Sequence, residues 1–328
     1  MKSTPFLMRI LLGAFVCCMS LSVSAQSPAE RKANRLFENY AYADAIELYE
    51  YVLKKNPENQ QIIRNLAEAY RKTSQPRKAA PLLKRVLEMG NPQNEDYLHL
   101  AQALETIGDN EEAATYFNKY DQLMASDKRG SRYAESIKSF KSYFDESDNY
   151  TIENAVFNTK SADFSVTPFN EGYLVVSNGN RKAFSLSHAP WNNQQWLDLY
   201  TVNPSGEPKA RKLSRKVNTR YHEGPACYSK DRKLLAFTRN SVHKGKVNRS
   251  SDHVNKLSIF FASPGGKDFK DVLAFPFNNK EYSCGHPAFS SKGDKLYFAS
   301  DKPGGFGGTD IYVSNWENGA WSEPVNLG

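Results

Sequence analysis

The run Arg64-Asn65-Leu66-Ala67-Glu68-Ala69-Tyr70-Arg71-Lys72 is followed by a polar break, Thr73-Ser74-Gln75-Pro76. A second run, Arg77-Lys78-Ala79-Ala80-Pro81-Leu82-Leu83-Lys84-Arg85-Val86, completes the stretch. Two segments with apolar residues at helical spacing around a short turn predict a helical hairpin. A shift of 34 residues in either direction finds the same hairpin again. Ala33, Ala67 and Ala101 coincide, as do Ala45, Ala79 and Ala113. Leu36, Tyr70 and Leu104 form a third set, Tyr49, Leu83 and Phe117 a fourth, and Val52, Val86 and Tyr120 a fifth. Alanine recurs because a larger side chain would hold two packed helices apart. Pro57 and Asn91-Pro92 are placed to end the second helix of the first and second units.

This register resembles the tetratricopeptide repeat, with units at 26–59, 60–93 and 94–127. Ala29 stands where that family usually has Trp, and Ala replaces its Gly. The period and the paired alanines therefore carry the likeness. It implies an α-solenoid whose inner surface holds a partner peptide. Carrying over the family's groove positions marks Arg64, Glu68, Arg71 and Lys72 in the middle unit, and Gln102 and Glu105 in the third. For each of these the other reading is an ordinary solvated face. Tyr133, Ile137, Phe140 and Phe144 keep helical spacing, so residues 128–148 are expected to form a capping helix and linker.

From about Tyr150 the texture changes to short apolar runs rich in aromatic and β-branched residues, punctuated by Gly, Pro, Asn and Asp. A second repeat appears at a shift of 62. Pro225-Ala226-Cys227-Tyr228-Ser229-Lys230-Asp231-Arg232-Lys233-Leu234 aligns with Pro287-Ala288-Phe289-Ser290-Ser291-Lys292-Gly293-Asp294-Lys295-Leu296. Each leads into a strand, Leu234 to Thr238 and Leu296 to Ser300, with a degraded copy at Tyr173 to Ser177. Further strands recur at 197–202, 257–262 and 309–314, and a last one is expected near Trp321-Ser322-Glu323-Pro324. Four short strands per unit predict propeller blades.

The stretch Phe289 to Asp301 resembles the TolB-like (PD40, WD40-like) propeller motif. Asp301-Lys302-Pro303-Gly304-Gly305-Phe306-Gly307-Gly308-Thr309-Asp310-Ile311-Tyr312 is similar to a narrower group. That group comprises Gram-negative envelope proteins with a signal peptide, tetratricopeptide repeats, a TolB-like propeller and usually a C-terminal OmpA-like domain. Some are accessory proteins of type IX secretion. The fold class expected is therefore multidomain α plus β: a helical solenoid followed, over 149–328, by an incomplete propeller of about three blades. Three blades do not close a ring that normally needs four to eight. A fragment or truncated product is expected, or else three blades that pair with another chain. The OmpA-like domain and its peptidoglycan contact have no counterpart in the sequence.

At the N-terminus Lys2 and Arg9 precede the apolar run Ile10 to Val16, and Val23-Ser24-Ala25 offers a cleavage site. This predicts a signal peptide over 1–25, whose apolar run of about 13 residues is too short to span a bilayer of ~30 Å. A lipoprotein reading through Cys17 or Cys18 is weaker, because Val16 stands where a lipobox has a small residue. The expected location is the periplasm or the periplasmic face of the outer membrane, with indirect membrane association.

The 328 residues carry a formal charge of +7, and 40% are hydrophobic. That excludes wholesale disorder and does not mark a nucleic-acid binder. The glycine loop lacks the Lys-Ser/Thr of a phosphate loop and precedes a strand. Gly304, Gly305, Gly307 and Gly308 are read as structural, with Asp301 and Asp310 tying the backbone. His222, Glu223, Cys227, Cys284 and His286 lack metal-ligand spacing, and His222 and Cys284 align at the shift of 62. Free thiols, one disulfide and, least supported, a metal site stay open for the cysteines. The loop from Asn240 to Lys256 sets His243, Lys244, Lys246, Arg249, His253 and Lys256 against Asp252. It suits a solvated loop, an anionic glycan or a protein partner. No nucleophile elbow is present, so no enzyme, cofactor or metal is expected. The reading reached is a non-catalytic scaffold for envelope or secretion-complex proteins. The alternative is a glycan-binding propeller with the repeats as spacer.

Overall fold

The computed structural model describes residues 26–328, apart from 141, 143, 144, 146, 180–187, 204, 206–209, 232, 244 and 267. The expected signal peptide, Phe144 of the capping segment, Arg232 of the strand repeat and Lys244 of the basic loop lie outside the described residues.

Seven α-helices come first among the described residues: α1 (Pro28–Glu38), α2 (Tyr42–Lys55), α3 (Gln60–Lys72), α4 (Pro76–Glu88), α5 (Asn94–Ile107), α6 (Asn110–Leu123) and α7 (Arg129–Ser139). Their starts are written locally. Ser27 Oγ accepts from the Glu30 N–H at 3.1 Å, and Asn59 Oδ1 from Ile62 at 3.2 Å. Gly108, at φ +91°, ends α5 in the left-handed conformation that glycine adopts without strain. All six register alanines have no exposed surface, and Tyr49, Leu83 and Phe117 are buried beside them in one continuous core. Burial of each large side chain contributes about 2–3 kcal/mol.

Helix α7 closes this core through small residues. A Cβ at Gly130 would lie 2.9 Å from the Asp121 Cβ, so α6 and α7 touch almost backbone to backbone. Ala134 is buried, Ile137 packs at the edge, and Tyr133 stacks on Phe117 with centroids 4.9 Å apart. Phe140 is exposed.

Among the described residues the strands form three antiparallel meanders, two of four strands and a third whose last strand is split in two. The first contains β1 (Asp163–Phe169), β2 (Gly172–Ser177), β3 (Asp198–Val202) and β4 (Arg211–Lys212). The second contains β5 (Glu223–Tyr228), β6 (Leu235–Asn240), β9 (Leu257–Gly265) and β10 (Asp268–Ala274). A small hairpin, β7 (Val242–His243) and β8 (Lys246–Val247), interrupts it. The third contains β11 (Cys284–Phe289), β12 (Lys295–Ser300) and β13 (Asp310–Glu317). Its last strand is split: β14 (Ala320–Trp321) and β15 (Val325–Asn326) pair separately with β13. The single strand expected over 321–324 breaks there because Pro324 has no N–H, and Ser322 bridges the gap by donating its N–H to Asn315 O.

The sheets stack face to face, and the middle one is buried on both sides. Leu235, Phe237, Phe260 and Ala262 pack toward the first sheet, while Ala236, Ile259 and Phe261 pack toward the third. This is the two-residue alternation of a strand with two buried faces. The internal repeat is also chemical. Backbone N–H groups of Ala162, His222 and Ser283 donate to side-chain oxygens of Asn178, Asn240 and Asp301, at 3.0, 3.0 and 2.5 Å.

The residue equivalence differs by one from the sequence alignment. Tyr228 pairs with Leu235 and Phe289 with Leu296, so the strands repeat at 61, not 62. Glu223, not His222, therefore occupies the place of Cys284. Each first strand carries a bulge, and Ser165 and His286 take positive φ within it. Pro225 stands at the same position in the second sheet and cannot adopt that φ.

Amide clamps join the sheets. Asn218, just ahead of β5, donates to Leu199 O and accepts from Leu199 N in the preceding sheet, both at 2.8 Å. Asn278 does the same to Ile259, at 2.7 and 2.9 Å.

Helices and strands meet at Trp191. Its indole N–H donates to Lys72 O at 2.9 Å, satisfying one of the carbonyls left open at the end of α3. The ring meets Tyr42 edge-on at 4.8 Å and lies parallel to Tyr40 at 6.2 Å.

Candidate functional site

The first helices of the three hairpins, α1, α3 and α5, carry two polar clusters, the first completed by Tyr49 of α2. Tyr49 Oη donates to Asn34 Oδ1 at 2.8 Å, and Asn65 Nδ2 donates to Tyr49 Oη at 3.3 Å. One helical turn on from Asn65, Glu68 is a hub. Arg71 Nε lies 2.7 Å from it, Lys72 Nζ 3.5 Å and His99 Nδ1 3.6 Å. Arg71 also donates to Gln102 Oε1 at 3.1 Å, linking α3 to α5. Burial works to raise the Glu68 carboxyl. The hydrogen bond from Arg71 and the charges of Arg71, His99 and Lys72 together hold it below its ordinary value. Burial, reinforced by Arg71, pushes the His99 imidazole down.

Of the six groove residues read from sequence, Glu68, Arg71, Lys72 and Gln102 come together here. Glu105 is half-exposed on α5, its carboxyl raised by burial. Arg64 does different work. Its guanidinium grips Asp96 with three contacts of 2.9–3.1 Å, its side chain 14% exposed and that of Asp96 2%. Asp96 also accepts the Gln93 N–H at 2.8 Å, capping α5. Arg64 is thus an inter-repeat tie. His99, Asn34 and Asn65 were not singled out from sequence. Their positions as polar residues beside the buried stripe of the first helices were the available signal.

The glycine loop is organised by Asp310, which accepts from Phe306 N at 2.7 Å and Gly307 N at 3.0 Å and from Asn326 Nδ2 at 2.9 Å. Of its glycines only Gly304 has positive φ. Gly305 is required for space, since a Cβ there would lie 1.9 Å from Asp310 Oδ2. Gly307 leaves ordinary room and Gly308 faces open space. Asp301 ties the entrance of β11 through Ser283 rather than this loop. Gly305→Ala should lower stability by about 1–2 kcal/mol in chemical denaturation, while Gly308→Ala should change it by less than about 0.5 kcal/mol.

Cys227 and Cys284 are free, with burial pushing their thiols up to about 12 and about 11. Among the described residues no group of three or more His, Cys, Asp or Glu is placed to hold a metal. Likewise no helix is long and apolar enough to cross a membrane. Glu223 is fully buried, accepting from Thr219 N at 2.9 Å and Oγ1 at 2.6 Å, with Arg239 Nε at 3.2 Å. The guanidinium of Arg239 lies over the rings of Phe237 and Phe260 at 4.9 and 4.8 Å. In the basic loop, Asp252 pairs with Lys256 at 3.0 Å.

Residues 36–91 match one tetratricopeptide-repeat family model, and residues 64–127 match another. Residues 36–127 are tetratricopeptide repeats. Such repeats are protein-interaction scaffolds, and apart from Tyr49 the polar clusters above lie on the first helix of each. Among solved structures, the first such domain of Spaghetti (RPAP3), bound to an HSP90 peptide, is similar at 18% identity and a TM-score of 0.32. The match covers 35% of this chain and 90% of that one. MamA matches at 18% identity and a TM-score of 0.32, covering 38% of this chain and 70% of its own. The Sgt2 domain from Aspergillus fumigatus matches at 21% and 0.31, covering 42% and 93%. No curated protein matches the sequence.

Proposed function

We propose that the protein is a non-catalytic scaffold whose repeats hold an extended segment of a partner protein. The observation that carries this reading is the Glu68-centred cluster. Across two adjacent repeats it joins Arg71, Lys72, His99 and Gln102, with Asn65 one helical turn before it on α3. Amides and cations in a row suit a peptide's backbone groups and acidic side chains. The strand-rich part is read as three blades of an incomplete TolB-like propeller, supported by the stacked meanders and their repeated Asn/Asp hydrogen bonds. With the Asp301–Tyr312 motif and the N-terminal export pattern, this favours the envelope-protein group that includes the type IX secretion accessory protein PorE. Its place of action would be the periplasm or the inner side of the outer membrane.

Arg71→Glu combined with Lys72→Glu tests the groove by reversing exposed and half-exposed charges without touching Arg64. Partner retention from envelope extracts should fall at least tenfold, with helical circular dichroism unchanged. Undiminished retention by the folded variant would remove this surface from the proposal.

A further inference from the structure

A cleft of about 580 Å³ opens where the first repeat meets the strand region, within the range of small-molecule sites, which favour such junctions. Its walls come from three places: Glu38 and Tyr40 at the end of the first hairpin, Trp191 and Trp196 before β3, and Arg249 and His253 from the basic loop. Tyr40 is 45% exposed and Trp191 42%, so each keeps surface open to solvent. Their rings are parallel within 3°, and the Lys72 carbonyl fixes the indole. The shelf exists before any ligand arrives, which reduces the ordering cost of binding.

The polar lining divides sharply. Asn39 donates to Arg35 O at 2.6 Å, Asn240 accepts from His222 N at 3.0 Å, and Asn255 donates to Ser241 O and Asn248 O at 2.7 and 2.9 Å. Asp252 is neutralised by Lys256. Among the described residues, the side chains of Arg249, His253 and Glu38 make no hydrogen bond or ion pair within the protein. The cleft thus presents flat aromatic faces, one guanidinium, an imidazole and one carboxylate.

We propose that this cleft binds a carbohydrate carrying a carboxylate. A pyranose ring lays its apolar C–H face on the Tyr40–Trp191 shelf. Its carboxylate takes the paired N–H groups of Arg249, a geometry that arginine offers and lysine does not. Glu38 accepts from ring hydroxyls. The solenoid supplies Glu38 and Tyr40, so the repeats form part of this site. It is separate from the Glu68 groove, and its failure would leave the peptide reading intact.

Isothermal titration of the whole chain with digalacturonate, with cellobiose as the neutral counterpart, tests the assignment. Saturable heat is expected with digalacturonate, and at least tenfold weaker binding with cellobiose. Arg249→Gln should remove most of that preference. Tyr40→Asn should weaken both sugars; asparagine tolerates the φ of +60° at this position, so the fold is kept. No saturable heat from either sugar at tens of millimolar would overturn the proposal, as would equal binding of digalacturonate by Arg249→Gln.

Discussion

Arg64→Ala is expected to lower the stability of the helical region by about 3–5 kcal/mol, the cost of leaving a buried charge without its partner. Asp96 is 1% exposed and accepts three hydrogen bonds from Arg64, which itself spans from one repeat to the next. Alanine would leave the buried carboxylate without its cation, the bond from Gln93 N–H remaining. Adding Asp96→Asn should restore much of the loss. Asparagine keeps an oxygen for the Gln93 N–H, the bond that caps α5, and carries no charge. Urea unfolding followed at the helical dichroism band checks both variants. A loss of under about 1 kcal/mol in Arg64→Ala would show that the pair does not hold the repeats together. A partner-binding loss in this variant would report the fold, which is why the groove is tested at Arg71 and Lys72.

The second large effect is a pH dependence centred on Glu223. Burial pushes its carboxyl from 4.5 up to about 7, opposed by the hydrogen bonds from Thr219 and the charge of Arg239. Between those values the folded chain keeps a proton that the unfolded chain has released. Stability from this group is therefore fully present below about pH 4.5 and is lost as the pH rises through 7. A shift of that size corresponds to about 3 kcal/mol. Glu223→Gln removes the titration while keeping an acceptor for Thr219. Its stability relative to the unsubstituted chain should climb by about 3 kcal/mol from pH 4.5 to about pH 8, measured by urea unfolding. A flat difference would mean that Arg239 keeps the carboxylate ionised throughout.

The helical half was legible because its signal is steric. An alanine every 34 residues is hard to replace where helices cross, and Ala33, Ala67 and Ala101 have no exposed surface. The strands were legible as apolar runs, but their register was not. Both first strands carry the same one-residue bulge, so it cancels between units. The identities that match Pro225 to Pro287 fall one place off the ladder and gave a repeat one residue too long. The individual role of Arg64 was hidden for a related reason. Its partner, Asp96, is 32 residues away, and a carboxylate in a first helical turn reads as a cap whether or not an arginine reaches it. Trp191 gave no periodic signal, since it lies in a polar loop and makes its contacts with residues 119 or more positions earlier.

The Asn218 and Asn278 clamps bear on the order in which the chain can become native. Each belongs by sequence to one unit and completes the hydrogen bonding of the unit before it. As the chain emerges from the ribosome, the first sheet keeps an unsecured third strand until Asn218 has followed it out, and the second waits likewise for Asn278. Proteolysis just ahead of either asparagine would injure the sheet upstream of the cut, although every strand of that sheet remained covalently whole.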